Sequence, residues 1–417
     1  MVILCAYGSS GQMQDLIAVG PSPPALLRTE AVLYSDARAQ AAAASLSAQL
    51  GERVDATGIL PKLTLLPPPT QQAMASYKLL LGAADYVVHK FCKEKPTVTD
   101  ATTVSTTGLT RGAHREYDSE MLRLAGLGHF ETLLPDILAR PQVVGRVSKL
   151  VAEELGRGEM EGIPVVHAGG DAFSATVGAG REGRGGGLYV YCGSSGWVGG
   201  SVERKGLKEV EDGVFRLGHA GDERLEVRVG SVGAAGVNVS FAGATLLGGV
   251  DAGEVCRLAR GAAVGAGGLS YVPYLEGRRC PRPSVGMRGG LVGMTGGVGR
   301  EEVARAVVEG VVFALAEAGG GGAGRGVRMV GGGVECEVLV RGIAALVGGG
   351  EVEVGSEAKG VGIVGAGRTA KEVVDGEAGE EWWSTEKVVR VGEEEMGRWV
   401  EAFAQWRRSV QVMEGLL

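Results

Sequence analysis

The sequence predicts an α/β protein with two domains. Apolar runs that suit strands, such as Leu188–Tyr191 and Val327–Val330, alternate with helical periodicity, as in Val303–Ala316. Such alternation is typical of α/β architecture. The chain has 417 residues, 45% of them hydrophobic, which is enough for two cores at roughly 150 residues per domain. A change to a strand, glycine turn and strand pattern predicts a boundary between domains 1–164 and 165–417.

Local patterns predict the individual elements. A short apolar run predicts a strand over Val2–Tyr7, followed by a turn at Gly8–Gly11. Trp399 and Trp406 lie two turns apart on one face of the last helix, so both are expected to pack inward. Helical periodicity with end signals predicts helices over Ala37–Leu50, Gln71–Leu81, Val143–Leu155, Val338–Leu346 and Glu393–Glu414.

Charge and composition argue against several classes of protein. The net charge is −7 and no Lys/Arg block is present, so binding to nucleic acid or a membrane surface is not expected. The six cysteines form no CxxC pair, which favours reduced thiols and a cytoplasmic location. The uncharged stretch Val229–Val250 is rich in Gly, Ala and Ser, which favours a buried or loop segment over a membrane span.

An aspartate that follows two glycines is the candidate for catalysis. Gly169 and Gly170 allow the backbone to approach a substrate closely, and Asp171 can then accept a hydroxyl proton. The tripeptide alone leaves an ordinary turn aspartate as the alternative. Asp171 is also the one carboxylate that we nominate as a ligand for Mg²⁺.

Two glycine-rich turns are candidates for binding ATP. The turn after Leu188–Tyr191 can direct backbone N–H groups and hydroxyls at a phosphate, although a tight hairpin turn has the same composition. The turn after Val327–Val330 can let a nucleotide lie against bare backbone, with one more turn in a glycine-rich region as the alternative. The predicted ATP-binding residues are Gly193, Ser194, Ser195, Gly196, Gly331, Gly332 and Gly333.

Several segments, taken in order, resemble the FGGY family of carbohydrate kinases, and within it the xylulokinase-like members. The resemblance covers nearly the whole chain and implies an actin-like ATPase (ribonuclease H-like) fold of two domains, with ATP between them. The main segments are Ser10–Asp15, Leu33–Arg38, Pro61–Leu63, Gly169–Asp171, Pro273–Pro281, Gly289–Met294 and Gly331–Gly333.

The resemblance implies ATP-dependent phosphorylation of a ketopentose or a related sugar, with Asp171 as the base and Mg²⁺ as the metal. The implied sugar contacts are Gln12, Met13, Gln14, Asp171 and Ala172. Gln14-Asp15 stands where the family often has His-Gly, and Ala172 stands where Asn is usual, so the identity of the sugar stays open. Assembly as a homodimer also stays open.

The family pattern opens with a strand that carries Asp-x-Gly-Thr, the first phosphate and metal loop. No such segment precedes Ser10–Asp15, so we expect the first domain to be truncated at its N-terminus. The alternative function is therefore a catalytically impaired homologue that only binds sugar or nucleotide.

One segment imitates a dinucleotide-binding fingerprint. Val361–Ala370 contains the pattern Gly-x-Gly-x-x-Ala after an apolar run. A Rossmann unit needs further strands, whereas the remaining residues are rich in Glu and Trp and have helical periodicity. We therefore predict a kinase-type helix here rather than a NAD site.

Overall fold

The computed structural model describes residues 6–21, 24–27, 30–183, 187–204, 213–275, 277–284, 286–320, 326–356, 358–376 and 383–416. These residues form two compact units. The first is drawn from Met1–Gly178, Leu217–Val227 and Gly362–Trp382, and the second from Ala179–Arg216, Arg228–Val361 and Trp383–Leu417. The predicted domains 1–164 and 165–417 stay a prediction.

Strands occur along the whole described chain and are numbered in chain order. They are β1 (Tyr7–Gly11), β2 (Met13–Val19), β3 (Lys78–Gly82), β4 (Val98–Asp100), β5 (Asp136–Leu138), β6 (Gln142–Arg146), β7 (Pro164–Gly170), β8 (Tyr189–Cys192), β9 (Gly196–Glu203), β10 (Val214–Gly218), β11 (Leu225–Val232), β12 (Ser270–Val272), β13 (Gly290–Val292), β14 (Val327–Val330), β15 (Glu351–Gly355) and β16 (Thr385–Arg390).

Helices alternate with the strands. They are α1 (Gln40–Leu50), α2 (Ile59–Lys62), α3 (Gln71–Ser76), α4 (Ala83–Phe91), α5 (Ala101–Ser105), α6 (Ser119–Leu124), α7 (Lys149–Glu154), α8 (Asp171–Gly178), α9 (Gly236–Phe241), α10 (Ala252–Ala259), α11 (Arg300–Ala318), α12 (Glu337–Leu346), α13 (Val361–Asp375) and α14 (Glu393–Glu414). This alternation confirms the predicted α/β class.

The first unit contains a three-stranded sheet in the order β1-β7-β6. Strands β1 and β7 are parallel, whereas β6 and β7 are antiparallel. Strand β7 is buried along nearly its whole length because it is the central strand and α4, α5 and α8 contact it. The sheet therefore fixes the position of the residues that follow β1 and β7.

Strands β9, β8, β14, β15 and β16 of the second unit belong to a seven-stranded sheet in the order β10-β11-β9-β8-β14-β15-β16. Strands β8, β14 and β15 are parallel neighbours, and β9 and β16 run antiparallel to β8 and β15. The ends of β8 and β14, which carry the two predicted ATP-binding turns, therefore lie side by side at one edge of this sheet.

Helices α11 and α14 confirm the strongest predictions from periodicity. Trp399 and Trp406 are fully buried, as expected. Both indole rings pack on Phe313 of α11, with ring centroids 6.0 and 5.7 Å away. No helix in the described part of the chain is long and apolar enough to cross a membrane.

Three expectations for local structure were wrong. Gly8–Gly11 lies in β1 rather than in a turn, and residues 2–5 of the preceding predicted strand lie outside the described residues. The predicted helix Gln71–Leu81 ends at Ser76, and β3 follows it and pairs with β2. The first part of the predicted helix Val143–Leu155 is β6. In each case, pairing with a distant strand overrides the local pattern, a turn at Gly8–Gly11 and a helix in the other two segments.

The segment that imitates a dinucleotide fingerprint is helix α13, as predicted. A Cβ atom on Gly365 would lie 1.8 Å from the Ser174 carbonyl oxygen of α8, and one on Gly8 would lie 2.3 Å from the Ala366 carbonyl oxygen. The glycine at position 365 is therefore explained by the close approach of two helix backbones, with no need for a nucleotide.

Substitution of Gly365 by alanine is expected to destabilise the protein by about 1–3 kcal/mol, because the new methyl group forces α13 away from α8. Gly367 is the matched control in the same helix, since a Cβ there meets no atom within 4 Å. Gly367→Ala should leave stability unchanged or raise it by up to ~1 kcal/mol through helix propensity. Urea unfolding compares the two variants, and equal effects would contradict this packing account.

Candidate active site and nucleotide cavity

The candidate sugar site is assembled by the parallel pairing of β1 with β7. Gly11 at the end of β1 lies beside Gly170 at the end of β7. Because parallel strands finish at the same edge of a sheet, the residues that follow both strands emerge together. The segment Gln12–Gln14 is thereby brought next to Asp171.

Positions 169 and 170, just before Asp171, require glycine for different structural reasons. Gly169 has a φ of +98°, a region that favours glycine. A Cβ atom on Gly170 would lie 2.4 Å from the sulfur of Met13. Met13 therefore packs directly on the residue before the candidate base, and this contact joins the predicted sugar segment to the predicted catalytic turn.

Asp171 is the first residue of α8, and its Oδ1 accepts a hydrogen bond of 2.7 Å from the Ala172 N–H. The residue as a whole is exposed to solvent, but protein atoms surround its carboxyl group and desolvate it. This desolvation, with smaller contributions from the negative charges of Asp100 and Asp15, raises the pKa of Asp171 to about 6. Exposure leaves the group reachable by substrate, and the raised pKa brings it close to neutral pH.

The other predicted sugar contacts differ in accessibility. Gln12 is exposed, and its Nε2 donates a hydrogen bond of 2.9 Å to Asp15 Oδ1. Gln14 adopts a φ of +70°, and its Nε2 donates to Thr57 Oγ1 at 3.4 Å. The methyl group of Ala172 is buried, so this residue offers little surface to a ligand. Their roles in binding stay predictions.

A buried charged cluster behind Asp171 was missed by the sequence analysis. His167 Nε2 lies 2.8 Å from Asp85 Oδ1, and both side chains are fully buried. One ligand atom each from Asp85, Asp100 and His167 lies within 4.8 Å of the others. His167 stands four residues before Asp171, but nothing in the sequence indicates that Asp85 on α4 is its partner.

Burial and charge act in opposite directions on the pKa values of this cluster. Burial alone would lower the pKa of His167, but the hydrogen bond and charge of Asp85, helped by Asp100, outweigh burial and raise it. Burial raises the pKa of Asp85 in turn, against the hydrogen bond from His167. The charges of Asp85 and Asp100 thus both act to favour the protonated form of His167.

Asp100 is held by its own helix. Its Oδ1 accepts from the backbone N–H of Thr102 at 2.8 Å, and its Oδ2 accepts from Thr103 Oγ1 at 2.6 Å. Thr103 Oγ1 also lies 3.1 Å from the place where a Cβ on Gly170 would be. The N-cap of α5 therefore reaches the turn that carries Asp171.

The second unit contains a cavity of about 870 Å³, within the size range of ligand sites. Its walls come from the ends of β8 and β14 and from helices α9, α10 and α12. The predicted ATP-binding residues Gly193, Ser194, Gly332 and Gly333 line it. The structure therefore brings the two predicted turns together around one space.

The remaining predicted ATP-binding residues support the turns from behind. The Ser195 carbonyl accepts a hydrogen bond from the Gly193 N–H at 2.9 Å. A Cβ on Gly196 would lie 3.0 Å from the side chains of Ala235 and Leu315, and one on Gly331 would lie 2.5 Å from the Cys192 carbonyl oxygen. Contacts of these three residues with a nucleotide stay predictions.

Two features of the cavity were not expected from sequence. Its helical walls, α9 and α10, include part of the uncharged stretch that resembled a membrane span only in hydropathy. Cys192, Cys256 and Cys336 all line the same space, although they are far apart in sequence.

Trp197 of β9 packs within the sheet. Its ring stacks on Tyr191, with ring centroids 3.9 Å apart, and its indole N–H donates to Tyr189 Oη at 3.0 Å. These contacts account for a tryptophan at this position.

The α/β protein thus has a carboxylate at strand ends in one unit and a glycine-lined cavity at strand ends in the other. Residues 5–178 match the FGGY family of carbohydrate kinases, N-terminal domain. This match covers about two fifths of the chain.

Individual relatives agree with this assignment. The chain is 25% identical over 311 residues to a xylulose kinase of Staphylococcus epidermidis, a match that covers 73% of this chain and 60% of the relative. It thus spans about three fifths of that relative's length.

Solved structures of the family share the fold. A ligand-bound xylulose kinase from Lactobacillus acidophilus matches with a TM-score of 0.80 and 20% identity, covering 98% of this chain and 84% of the other. A Plasmodium falciparum glycerol kinase with ADP matches with a TM-score of 0.80 and 19% identity, covering 99% and 84%. The actin-like ATPase fold implied by the resemblance is confirmed.

Proposed function

We propose that this chain transfers a phosphoryl group from ATP to a hydroxyl of a small sugar, and that the sugar is a ketopentose such as xylulose. The observation that carries the proposal is the contact of Met13 with Gly170, which brings the Gln12–Gln14 segment to Asp171. The match of residues 5–178 to the FGGY family and the similarity to a xylulose kinase support the choice of substrate class.

Asp171 is the base in this proposal. Phosphoryl transfer requires mainly positioning and charge neutralisation, together with a group that accepts the hydroxyl proton. An exposed carboxylate with a pKa of about 6 is largely ionised at pH 7, and it is a stronger base than an ordinary aspartate. Gln12, Met13, Gln14 and Ala172 are the proposed contacts that orient the sugar.

The cavity of the second unit is the proposed ATP site. Exposed Ser194 and the backbone of Gly193 would contact phosphates, and Gly332 with Gly333 would meet the adenosine. Mg²⁺ prefers carboxylate and phosphate oxygens, and Asp171 offers an exposed carboxylate of that kind. Asp171 is therefore the proposed protein ligand of the ion, and the ion would neutralise charge during transfer.

A coupled assay of ADP release tests the proposal on the full chain. The panel contains D-xylulose, D-ribulose, gluconate and glycerol, each with MgATP. We expect sugar-dependent ADP release, with the highest kcat/KM for a ketopentose. The opposite outcome is that the folded chain binds ATP or sugar in calorimetry and releases no ADP with any substrate of the panel. That result would support the alternative function, a catalytically impaired homologue that only binds its ligands.

A cavity-filling substitution tests the nucleotide site. Because a Cβ on Gly332 meets nothing within 4 Å, Gly332→Val places its methyl groups in the cavity without a clash in the fold. A clash of about 1–3 kcal/mol with the ligand corresponds to roughly 5–150-fold weaker binding of an ATP analogue. Gly296→Val is the control, since a Cβ there is equally free and lies outside the cavity. Equal affinities of both variants would exclude this cavity as the ATP site.

The pH dependence of turnover should report the carboxyl group of Asp171. Its pKa is raised to about 6, so the proton-accepting form is lost as the pH falls through that value. We expect kcat/KM for the sugar to fall about tenfold per pH unit well below pH 6. A profile that stays flat down to an ordinary aspartate pKa of about 4 would contradict the assignment.

Two further expectations go with this proposal. A cytoplasmic location and a homodimeric assembly both stay predictions. Sedimentation of the purified chain measures the second of them directly.

A further inference from the structure

Two cysteines meet at the wall of the cavity in the second unit. Cys256 lies on α10 and is partly exposed, whereas Cys336 immediately precedes α12 and is 4% exposed. Both line the cavity, and their side chains are close enough to interact through a hydrogen bond. The pair is thus in contact and borders a space that small molecules can enter.

The two sulfur atoms have different environments. The hydrogen bond from Cys256 is the main cause that lowers the pKa of Cys336, and the nearby N–H groups of Leu339 and Val338 and the charge of Arg260 act in the same direction. These N–H groups do not reach capping geometry, so they act through their dipoles at the start of α12. The same contact raises the pKa of Cys256. The thiolate form is therefore favoured at Cys336 over Cys256, and a thiolate is the form that reacts with oxidants.

A third thiol in the cavity wall has a different character. Burial raises the pKa of Cys192 to about 12. The sulfur of Cys192 lies 2.8 Å from the place where a Cβ on Gly333 would be, so it packs under the second glycine turn. Among the described residues, the compact set of metal-ligating groups is Asp85, Asp100 and His167, so the three thiols do not form a metal site of that kind.

We propose that Cys256 and Cys336 form a reversible disulfide under peroxide, and that this bond weakens nucleotide binding in the cavity. The Cys336 thiolate attacks one oxygen of hydrogen peroxide, breaks the O–O bond and becomes a sulfenic acid while hydroxide leaves. The Cys256 sulfur then attacks the Cys336 sulfur, the S–O bond breaks, and the hydroxyl leaves as water with the proton of the Cys256 thiol. Two thiols and one peroxide thus give one disulfide and two waters.

The second half of the proposal rests on the proposed ATP site. A disulfide brings the two sulfurs to about 2.05 Å, closer than any hydrogen bond between them. This shortening draws α10 toward the start of α12, and both elements are cavity walls. A narrower cavity is expected to bind a nucleotide about tenfold more weakly or worse, a loss of about 1.4 kcal/mol.

The bond itself is tested by peptide mapping of the full chain. The reduced protein is treated with hydrogen peroxide, its remaining thiols are alkylated, and its tryptic peptides are analysed by mass spectrometry. We expect a linked peptide pair containing Cys256 and Cys336, lost on treatment with dithiothreitol and absent from Cys256→Ser. Cys92→Ser is the control, since burial raises the pKa of Cys92 to about 12 in a core of the first unit. A link from Cys336 to Cys192, or no link while Cys336 is oxidised further, would overturn the pairing.

The effect on the cavity is tested by binding of a fluorescent ATP analogue to reduced and oxidised protein. We expect weaker binding after oxidation, recovery with dithiothreitol, and no change on oxidation of Cys256→Ser. Equal binding by the reduced and the cross-linked protein would overturn the regulatory role. Formation of the disulfide in a protein that binds no nucleotide in either state would overturn the proposed ATP site and leave the thiol pair intact.

Discussion

Asp171→Asn is expected to lower kcat for sugar phosphorylation by about 10²–10⁴-fold, the usual contribution of a positioned general base. Asparagine keeps the shape of the side chain and can still accept the hydrogen bond from the Ala172 N–H. It cannot take up the hydroxyl proton. The loss should therefore appear in kcat, with a small change in the KM for the sugar.

Asp118→Asn is the matched control for this change. Asp118 is also an aspartate of the first unit and caps α6 through the Met121 N–H at 2.8 Å. Asparagine caps helices as well as aspartate does, so this variant should keep both stability and turnover. If Asp171→Asn retains the turnover of the unchanged protein, Asp171 is not the base.

His167→Ala is expected to destabilise the protein by about 3–5 kcal/mol, because it leaves the carboxylate of Asp85 buried without its charged partner. Without His167, the Asp85 carboxylate keeps a hydrogen bond from the Leu81 N–H at 3.1 Å. One neutral donor does not replace a charged one. Urea unfolding followed by circular dichroism measures this loss.

A double-mutant cycle separates the pair from simple loss of packing. Asp85→Ala removes the other partner, and His167→Ala combined with Asp85→Ala removes both. The double variant should lose clearly less than the sum of the single losses, because neither charge is then left unpaired. Additive losses would show that His167 contributes through its volume alone.

The fold was predictable where a local pattern and the final environment agree. Helix α14 has the predicted bounds, and Trp399 and Trp406 are buried on its inner face. The helical period of the apolar residues is a property of the segment itself. Strand β14 and the glycine turn after it were also predicted from local residues, an apolar run followed by glycines.

The predictions failed where a distant partner decides the local structure. Residues Lys78–Gly82 continue a helical pattern, but they form β3 because β2 supplies their hydrogen-bond partners. Residues Gln142–Arg146 become β6 through pairing with β7. A buried backbone N–H or C=O group without a hydrogen-bond partner costs free energy. The free energy gained by strand pairing therefore outweighs a weak helix propensity.

The sequence by itself determined the α/β class, the resemblance to the FGGY family and the nomination of Asp171, because these depend on the order of residues along the chain. Only the tertiary structure decided which groups surround that carboxylate. Met13 against Gly170 and His167 against Asp85 are contacts between residues far apart in sequence. Likewise, Cys256 and Cys336 meet only because α10 and the start of α12 border one cavity. Periodicity describes one segment at a time, whereas desolvation and charge pairing depend on every segment that packs around a group.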